Sequence, residues 1–186
     1  MIINGLCFLA LNSPGIGEHL FAYAALYPPG SQFGTFQPWQ LITYMFLHGG
    51  FMHIFFNLFV LWMFGQQIEH LWGTKRFVIY YFLTGIGAGI LHLSLAAGGG
   101  VPTVGASGAV FGVLLAFGMM FPNREIMLIF LPIPIKAKYF VIMIGAFELF
   151  AGVSGLQTGI AHFAHLGGLV VGYILIRLWG IKGGYS

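Results

Sequence analysis

Residues 77–97 read FVIYYFLTGIGAGILHLSLAA, twenty-one in a row without a charged side chain. A helix of that length covers about 30 Å, the thickness of a bilayer's hydrocarbon core. The rest of the chain has the same character. Hydrophobic residues make up 59% of it and charged residues 6%, and the mean hydropathy is +0.92. Soluble domains carry about 25% charged residues, so this chain lacks the means to cover a water-facing surface. It is expected to be an all-α, polytopic membrane protein. For its 186 residues one transmembrane domain over 1–186, without a soluble accessory domain, is the expectation.

Working outward, further apolar runs occur at 2–11, 51–66, 104–121, 139–153 and 159–180. The last has full spanning length, and the three before it are short spans that a locally thinned bilayer accommodates. The run at 2–11 is different, because ten helical residues reach only about 15 Å. It is too apolar for a loop and lacks the positive flank and small-residue cleavage site of a signal peptide. The expectation is a first helix completed by residues upstream of Met1.

The seven basic residues are Lys75, Arg76, Arg124, Lys136, Lys138, Arg177 and Lys182. They fall between runs two and three, between runs four and five, and at the C-terminal end. The connections 11–50, 98–103 and 154–158 carry none. A six-helix path therefore gathers every basic segment on one face, which the positive-inside rule makes cytoplasmic. Both termini are then inside, in what is expected to be a prokaryotic cell membrane. The pI near 9.1 does not signal nucleic acid, since no basic run is interleaved with aromatics. The lone Cys7 excludes an internal disulfide.

Connection 11–50 is long for a bundle. Pro14-Gly15 and Pro28-Pro29-Gly30 punctuate it, and Trp39 and Tyr44 lie beside or within the apolar stretch 41–47. Interfacial aromatics around a stretch too short to span are expected of a segment dipping into the outer leaflet. A mobile exterior loop is the alternative.

The chain contains no Asp, which removes a Ser-His-Asp triad and an aspartyl dyad. It also lacks H-E-x-x-H, the zinc-peptidase motif. Of its four Glu, only Glu148 lies within a span, so catalysis by paired carboxylates is not expected. Depth makes the other polar residues informative. Run two enters from the exterior and carries His53 and Asn57 in its first two turns. Run four also enters from outside, with Ser107 in its first turn, and run six brings His162 and His165. Three helices thus deliver His53, Asn57, Ser107 and His165 to one exterior layer. Polar residues within spans are costly and face the interior or a water-filled cavity.

Small residues bring helices four and six together. Gly108, Gly112 and Ala116 form one stripe, and Gly168 and Gly172 form another three residues beyond His165. Such faces let backbones approach closely, which brings Ser107 Oγ within reach of His165. A fourth helix over 106–121 is about 24 Å long, so its N-terminal end sits below the exterior surface in a polar depression. Gly98-Gly99-Gly100 suits an irregular loop descending to it.

The segments His48-Gly-Gly-Phe-Met-His53-Ile-Phe-Phe-Asn57, Gly105-Ala-Ser107-Gly108 and Ala164-His165-Leu-Gly-Gly168-Leu-Val-Val-Gly172 resemble the three hallmark motifs of the rhomboid family. Glu69-His-Leu-Trp-Gly73-Thr-Lys-Arg-Phe77 resembles the stretch after that family's second helix. The likeness runs in order from Trp39 to Gly180, on a prokaryotic-type, six-helix core. It implies an intramembrane serine protease with a Ser107–His165 dyad, acting on transmembrane protein substrates in the bilayer without metal or cofactor. Ser107 would be the nucleophile and His165 the general base, later the acid for the leaving amine. With no acid partner, burial would keep His165 neutral. His53 and Asn57 would donate to the developing oxyanion, joined by the Ser107 N–H at the helix start. Phe111, one turn after Ser107, would pack on the His165 ring. Gly105, Gly108 and Gly168 would support the site, and Gly155 and Gly159 would flank a mobile cap.

One departure is visible. Some rhomboids carry Trp-Arg in the first loop, whereas Trp39 is followed by Gln40. Blander alternatives stand beside these roles. Taken alone, without His165 and the oxyanion pair, Ser107 reads as a small packing residue, and Asn57 can be satisfied by a neighbouring carbonyl. His48, His162, His92, His19 and His70 are expected to be structural or interfacial. A catalytically dead relative that binds membrane clients is the principal functional alternative. A metal or channel site on His53, His162 and His165 is a weaker one, since no carboxylate is expected at their depth.

Overall fold

Each apolar run contains a helix in the computed structural model, which describes residues 1–95, 100–128, 131–154 and 161–185. These helices are α1 (Ile2–Leu11), the rod Phe51–Trp72, α6 (Thr74–Leu95), α7 (Ser107–Met120), α8 (Ala137–Ser154) and α9 (His162–Leu178). The rod is α4 (Phe51–Val60) and α5 (Gln66–Trp72), fused through a π-helical turn at Leu61–Gly65. Among the described residues, three helices are long and apolar enough to cross a membrane: Phe51–Trp72, Thr74–Leu95 and Ala137–Ser154. The other three are apolar but shorter. Gly73, at φ +79°, adopts the backbone that ends one helix before α6 begins. Pro122 follows the end of α7, where its missing N–H prevents continuation.

The core forms where α6, α7 and α9 meet, and glycine sets the spacing. A Cβ on Gly168 would lie 1.8 Å from the Gly108 carbonyl oxygen. The backbones of α7 and α9 are therefore in direct contact. Gly167 abuts Ala88 of α6 in the same way, and Gly112 abuts Thr84. Buried hydroxyls and amides inside this apolar bundle donate to backbone carbonyls. Tyr80 Oη donates to Gly112 at 2.7 Å, Tyr44 Oη to Gly85 at 2.7 Å, and Asn4 Nδ2 to Met45 at 3.1 Å. Such pairing is required where no water competes. Large apolar side chains meanwhile cover the outside, among them Ile142, Phe150, Val153 and Leu178. That exterior suits lipid rather than water.

Two elements differ from expectation in an otherwise helical chain. Between α7 and α8 stands an antiparallel hairpin, β1 (Glu125–Leu128) and β2 (Leu131–Lys136), with Glu125 opposite Lys136 and Ile126 opposite Ile135. Pro134 is tolerated in β2 because a two-stranded ribbon leaves each strand one free edge. Connection 11–50 is also structured. It contains α2 (Gly17–Ala24), α3 (Gln40–Thr43) and a 3-10 turn at Tyr44–Phe46. Tyr44, expected at the interface, is instead buried with Met45 and Leu47. Trp39 and Ile42 do remain exposed, and Trp39 stacks on Tyr23.

The basic residues collect at one end of the bundle. Lys75 and Arg76 open α6, Arg124 follows α7, Lys136 and Lys138 precede or open α8, and Arg177 and Lys182 close or follow α9. Cross-contacts tie that end together: Arg124 donates to Gln67, and the Tyr185 N–H reaches the Met120 carbonyl at 2.7 Å. His53, Ser107, His162 and His165 lie at the opposite ends of these helices.

Candidate active site

Ser107 is the first residue of α7, half-buried, with Ala106 at the N-cap. The first N–H groups of a helix have no intrahelical acceptor, so the Ser107 backbone presents a donor beside its own hydroxyl. Four contacts hold the segment leading to it. Thr103 pairs with Leu26 through two backbone bonds of 2.9 and 3.0 Å, and its hydroxyl lies 2.8 Å from His92 Nε2. The Gly105 N–H donates to the Tyr44 carbonyl at 2.9 Å, and the Ala106 N–H faces His48 Nε2 at 3.5 Å. The first connection thus acts as a scaffold for the approach to Ser107. His48 is fully buried and lies edge-on to His53. Burial, with the neighbouring His53 adding to it, pushes the His48 imidazole down to about 4.

His165 lies one turn into α9, buried, with Nε2 2.8 Å from Ser107 Oγ. Phe111 stacks on its ring almost in parallel, with centroids 4.2 Å apart and planes 9° off. Gly108 and Gly168 make the backbone contact directly beneath this pair. Gly105 has φ +128°, and a Cβ there would lie 2.7 Å from His53 Nε2 and 3.8 Å from Ser107 Oγ. His53 is therefore next to the serine. Asn57 is buried one turn below it, and its Nδ2 donates to the His53 carbonyl at 2.8 Å. That amide nitrogen retains a second hydrogen. Gly155, Gly159 and Gly98–Gly99 lie outside the described residues.

Two expectations fail at Glu148. His165 was expected to lack an acid partner, and no carboxylate was expected beside His162 and His165. Glu148 of α8 is buried, with Oε2 2.6 Å from His162 Nδ1 and Oε1 3.1 Å from His165 Nδ1. The reason is geometric. Glu148 lies six residues before the end of α8 and His165 three after the start of α9, so consecutive antiparallel helices put them at one depth. The two contacts differ in quality. His162–Glu148 is a formed hydrogen bond. The His165 contact is within range, yet the ring N–H does not aim closely enough at the oxygen to count as one, and among the described residues Nδ1 has no other acceptor. Among the described residues, Glu148, His162 and His165 also form the one group with ligand atoms clustered as for a cation, within 4.8 Å. The 2.6 Å His162–Glu148 spacing is that of a hydrogen bond. Two ligands of a tetrahedral zinc ion, each at about 2.1 Å from it, stand about 3.4 Å apart.

A helical membrane protein with a hydrogen-bonded Ser-His pair at the mouth of two tightly packed helices is the class that fold and site define. The Rhomboid domain family model matches residues 35–181, and the chain belongs to the rhomboid family. It is 31% identical over 144 residues to "Rhomboid protease GluP" of Bacillus subtilis, covering 77% of this chain and 26% of that protein. "Rhomboid-like protein 11, chloroplastic" of Arabidopsis thaliana is 32% identical over 193 residues, covering 94% and 65%. "Rhomboid-type serine protease 2" of Emericella nidulans is 33% identical over 146 residues, covering 75% and 26%. This chain thus spans between about a quarter and two thirds of these relatives' lengths. Relatives named for mitochondria and chloroplasts appear beside the bacterial one, so kinship does not select a prokaryotic membrane.

Proposed function

We propose that this chain is an intramembrane serine endopeptidase, hydrolysing peptide bonds in or near transmembrane segments of other membrane proteins. The observation that carries this is the 2.8 Å contact between His165 Nε2 and Ser107 Oγ, with the imidazole stacked on Phe111. Relatives named as proteases agree with it.

In the proposed mechanism His165 Nε2 takes the Ser107 proton as Oγ attacks the scissile carbonyl. The developing oxyanion is met by the Ser107 N–H, His53 and the second Asn57 amide hydrogen. Donors of that kind are worth about 3–4 kcal/mol each. The proton then passes from Nε2 to the leaving amine, and water repeats the cycle on the acyl-enzyme. No cofactor enters these steps. A substrate helix hides its carbonyls in intrahelical bonds, so cleavage should favour segments with Gly or Pro near the cut. Six spans with both termini cytoplasmic complete the proposal, supported by basic residues at the end opposite Ser107.

The test is labelling by a fluorophosphonate serine probe, with Ser107→Ala and His165→Ala as comparisons. Labelling lost in both folded variants supports the activated serine. Labelling equal in all three proteins means that the probe reacts elsewhere. If wild type neither labels nor cleaves a model transmembrane substrate in liposomes, the non-catalytic client-binding role replaces the protease.

A further inference from the structure

We propose that Glu148 is a positioning residue for His165, so that the site works as a Ser-His-Glu arrangement with His162 holding the carboxylate in place. The inference rests on the protease function proposed above. It begins with a cost: a carboxylate buried inside an apolar bundle is unfavourable unless charge and hydrogen bonds compensate it. Glu148 is the one acidic residue so placed, and both its oxygens face imidazoles. Oε2 accepts from His162 Nδ1 at 2.6 Å, and Oε1 is 3.1 Å from His165 Nδ1.

A carboxylate accepts and does not donate, so the nitrogen facing it is favoured as the protonated one. With the proton on Nδ1, His165 Nε2 presents a lone pair to the Ser107 hydroxyl at 2.8 Å. That is the tautomer a general base needs. In the opposite tautomer Nε2–H would point at the serine, and Nδ1 would place a lone pair against the carboxylate. Glu148 thereby selects the reactive form. It acts again when the proton moves. As the Ser107 O–H bond breaks, the proton joins Nε2, the Oγ–C bond forms, and the carbonyl electron pair moves onto oxygen. The imidazolium so created lies against the anion. Glu148 takes no proton, and Nε2 returns its own to the leaving nitrogen as the C–N bond breaks.

Two other contacts bear on the geometry. Phe111 fixes the plane of the His165 ring but leaves its tautomer unset, because a stacked face offers no acceptor in the ring plane. His162, one turn before His165, lies edge-on to it with centroids 6.5 Å apart. It is thus placed to anchor Oε2 while Oε1 is presented to His165.

The experiment compares wild type, Glu148→Gln and Glu148→Asp in liposomes with a model transmembrane substrate. It also records imidazole ¹⁵N spectra of histidine-labelled protein, with His165 assigned from His165→Gln. The expected result for Glu148→Gln is a kcat lower on the order of 10²-fold, with KM within about twofold. Its His165 spectrum should lose the Nδ1–H signature, while Glu148→Asp retains the tautomer and regains part of the rate. A purely structural role would alter stability without changing the tautomer. Glu148→Gln cleaving at the wild-type rate, or an unchanged His165 spectrum, overturns the inference. Should Glu148→Gln not fold, the wild-type spectrum decides: Nε2–H at His165 overturns it and Nδ1–H supports it. An inactive wild type with the Nδ1–H signature defeats the protease function but leaves the hold of Glu148 on His165 standing.

Discussion

Replacing Gly168 by Ala should disable the site from beneath without touching a reacting atom. The added Cβ would lie 1.8 Å from the Gly108 carbonyl oxygen and 2.8 Å from its carbon. Carbon and oxygen in ordinary contact stand about 3.3 Å apart, so α7 and α9 must separate by about 1.5 Å there or rotate. Ser107 is the residue before Gly108, and His165 is one turn before Gly168. If half of the displacement reaches that pair, the 2.8 Å bond opens past about 3.5 Å and ceases to be one. A misplacement of about 1 Å in a catalytic group costs on the order of 10²-fold in rate, and overpacking of this kind costs about 1–3 kcal/mol in stability. The assay is the rate of fluorophosphonate labelling beside thermal unfolding in detergent. Gly5→Ala is the control, since a Cβ on Gly5 meets nothing within 4 Å. Gly168→Ala labelling at the Gly5→Ala rate would refute the claim that this backbone contact sets the dyad's geometry.

Other outcomes follow from particular contacts. Gly105→Ala combines a strained backbone with a Cβ 2.7 Å from the His53 ring, so cleavage should fall below a tenth of wild type in liposomes. Phe111→Ala removes the ring stacked on His165; an aromatic pair is worth about 0.5–1.5 kcal/mol, so kcat should drop about two- to thirteenfold. Asn57→Ala should lower kcat on the order of 10²-fold with little change in KM, as expected of an oxyanion donor. His48 binds its proton less readily folded, at about 4, than unfolded, at about 6.5. The unfolded state then binds more protons between those values, so this contribution to stability is full above about pH 6.5 and is lost as pH falls toward 4. Unfolding midpoints across that range should decline in wild type, and more shallowly in folded His48→Gln.

The membrane class, the apolar helices and the place of Ser107, His53 and His165 at the starts of their helices were legible in the amino-acid sequence. Each depends on one helix at a time: run length sets span, charge sets the ends, and position along a run sets depth. The glycine stripes told which helices touch, because a missing side chain is a local property with one packing consequence. Sequence order alone did not give three other features. The hairpin at β1 and β2 was hidden in a segment whose alternating Pro and Ile argue equally for a loop. Tyr44 turned inward because its hydroxyl found the Gly85 carbonyl, a partner forty-one residues away. Glu148 was visible as an acid within a span, but its burial and its partners were not. Whether it faces lipid, backbone or histidine depends on the rotation of α8 about its own axis against α9. An apolar helix with exposed hydrophobic residues around it carries little sequence signal for that rotation, and packing in three dimensions decides it.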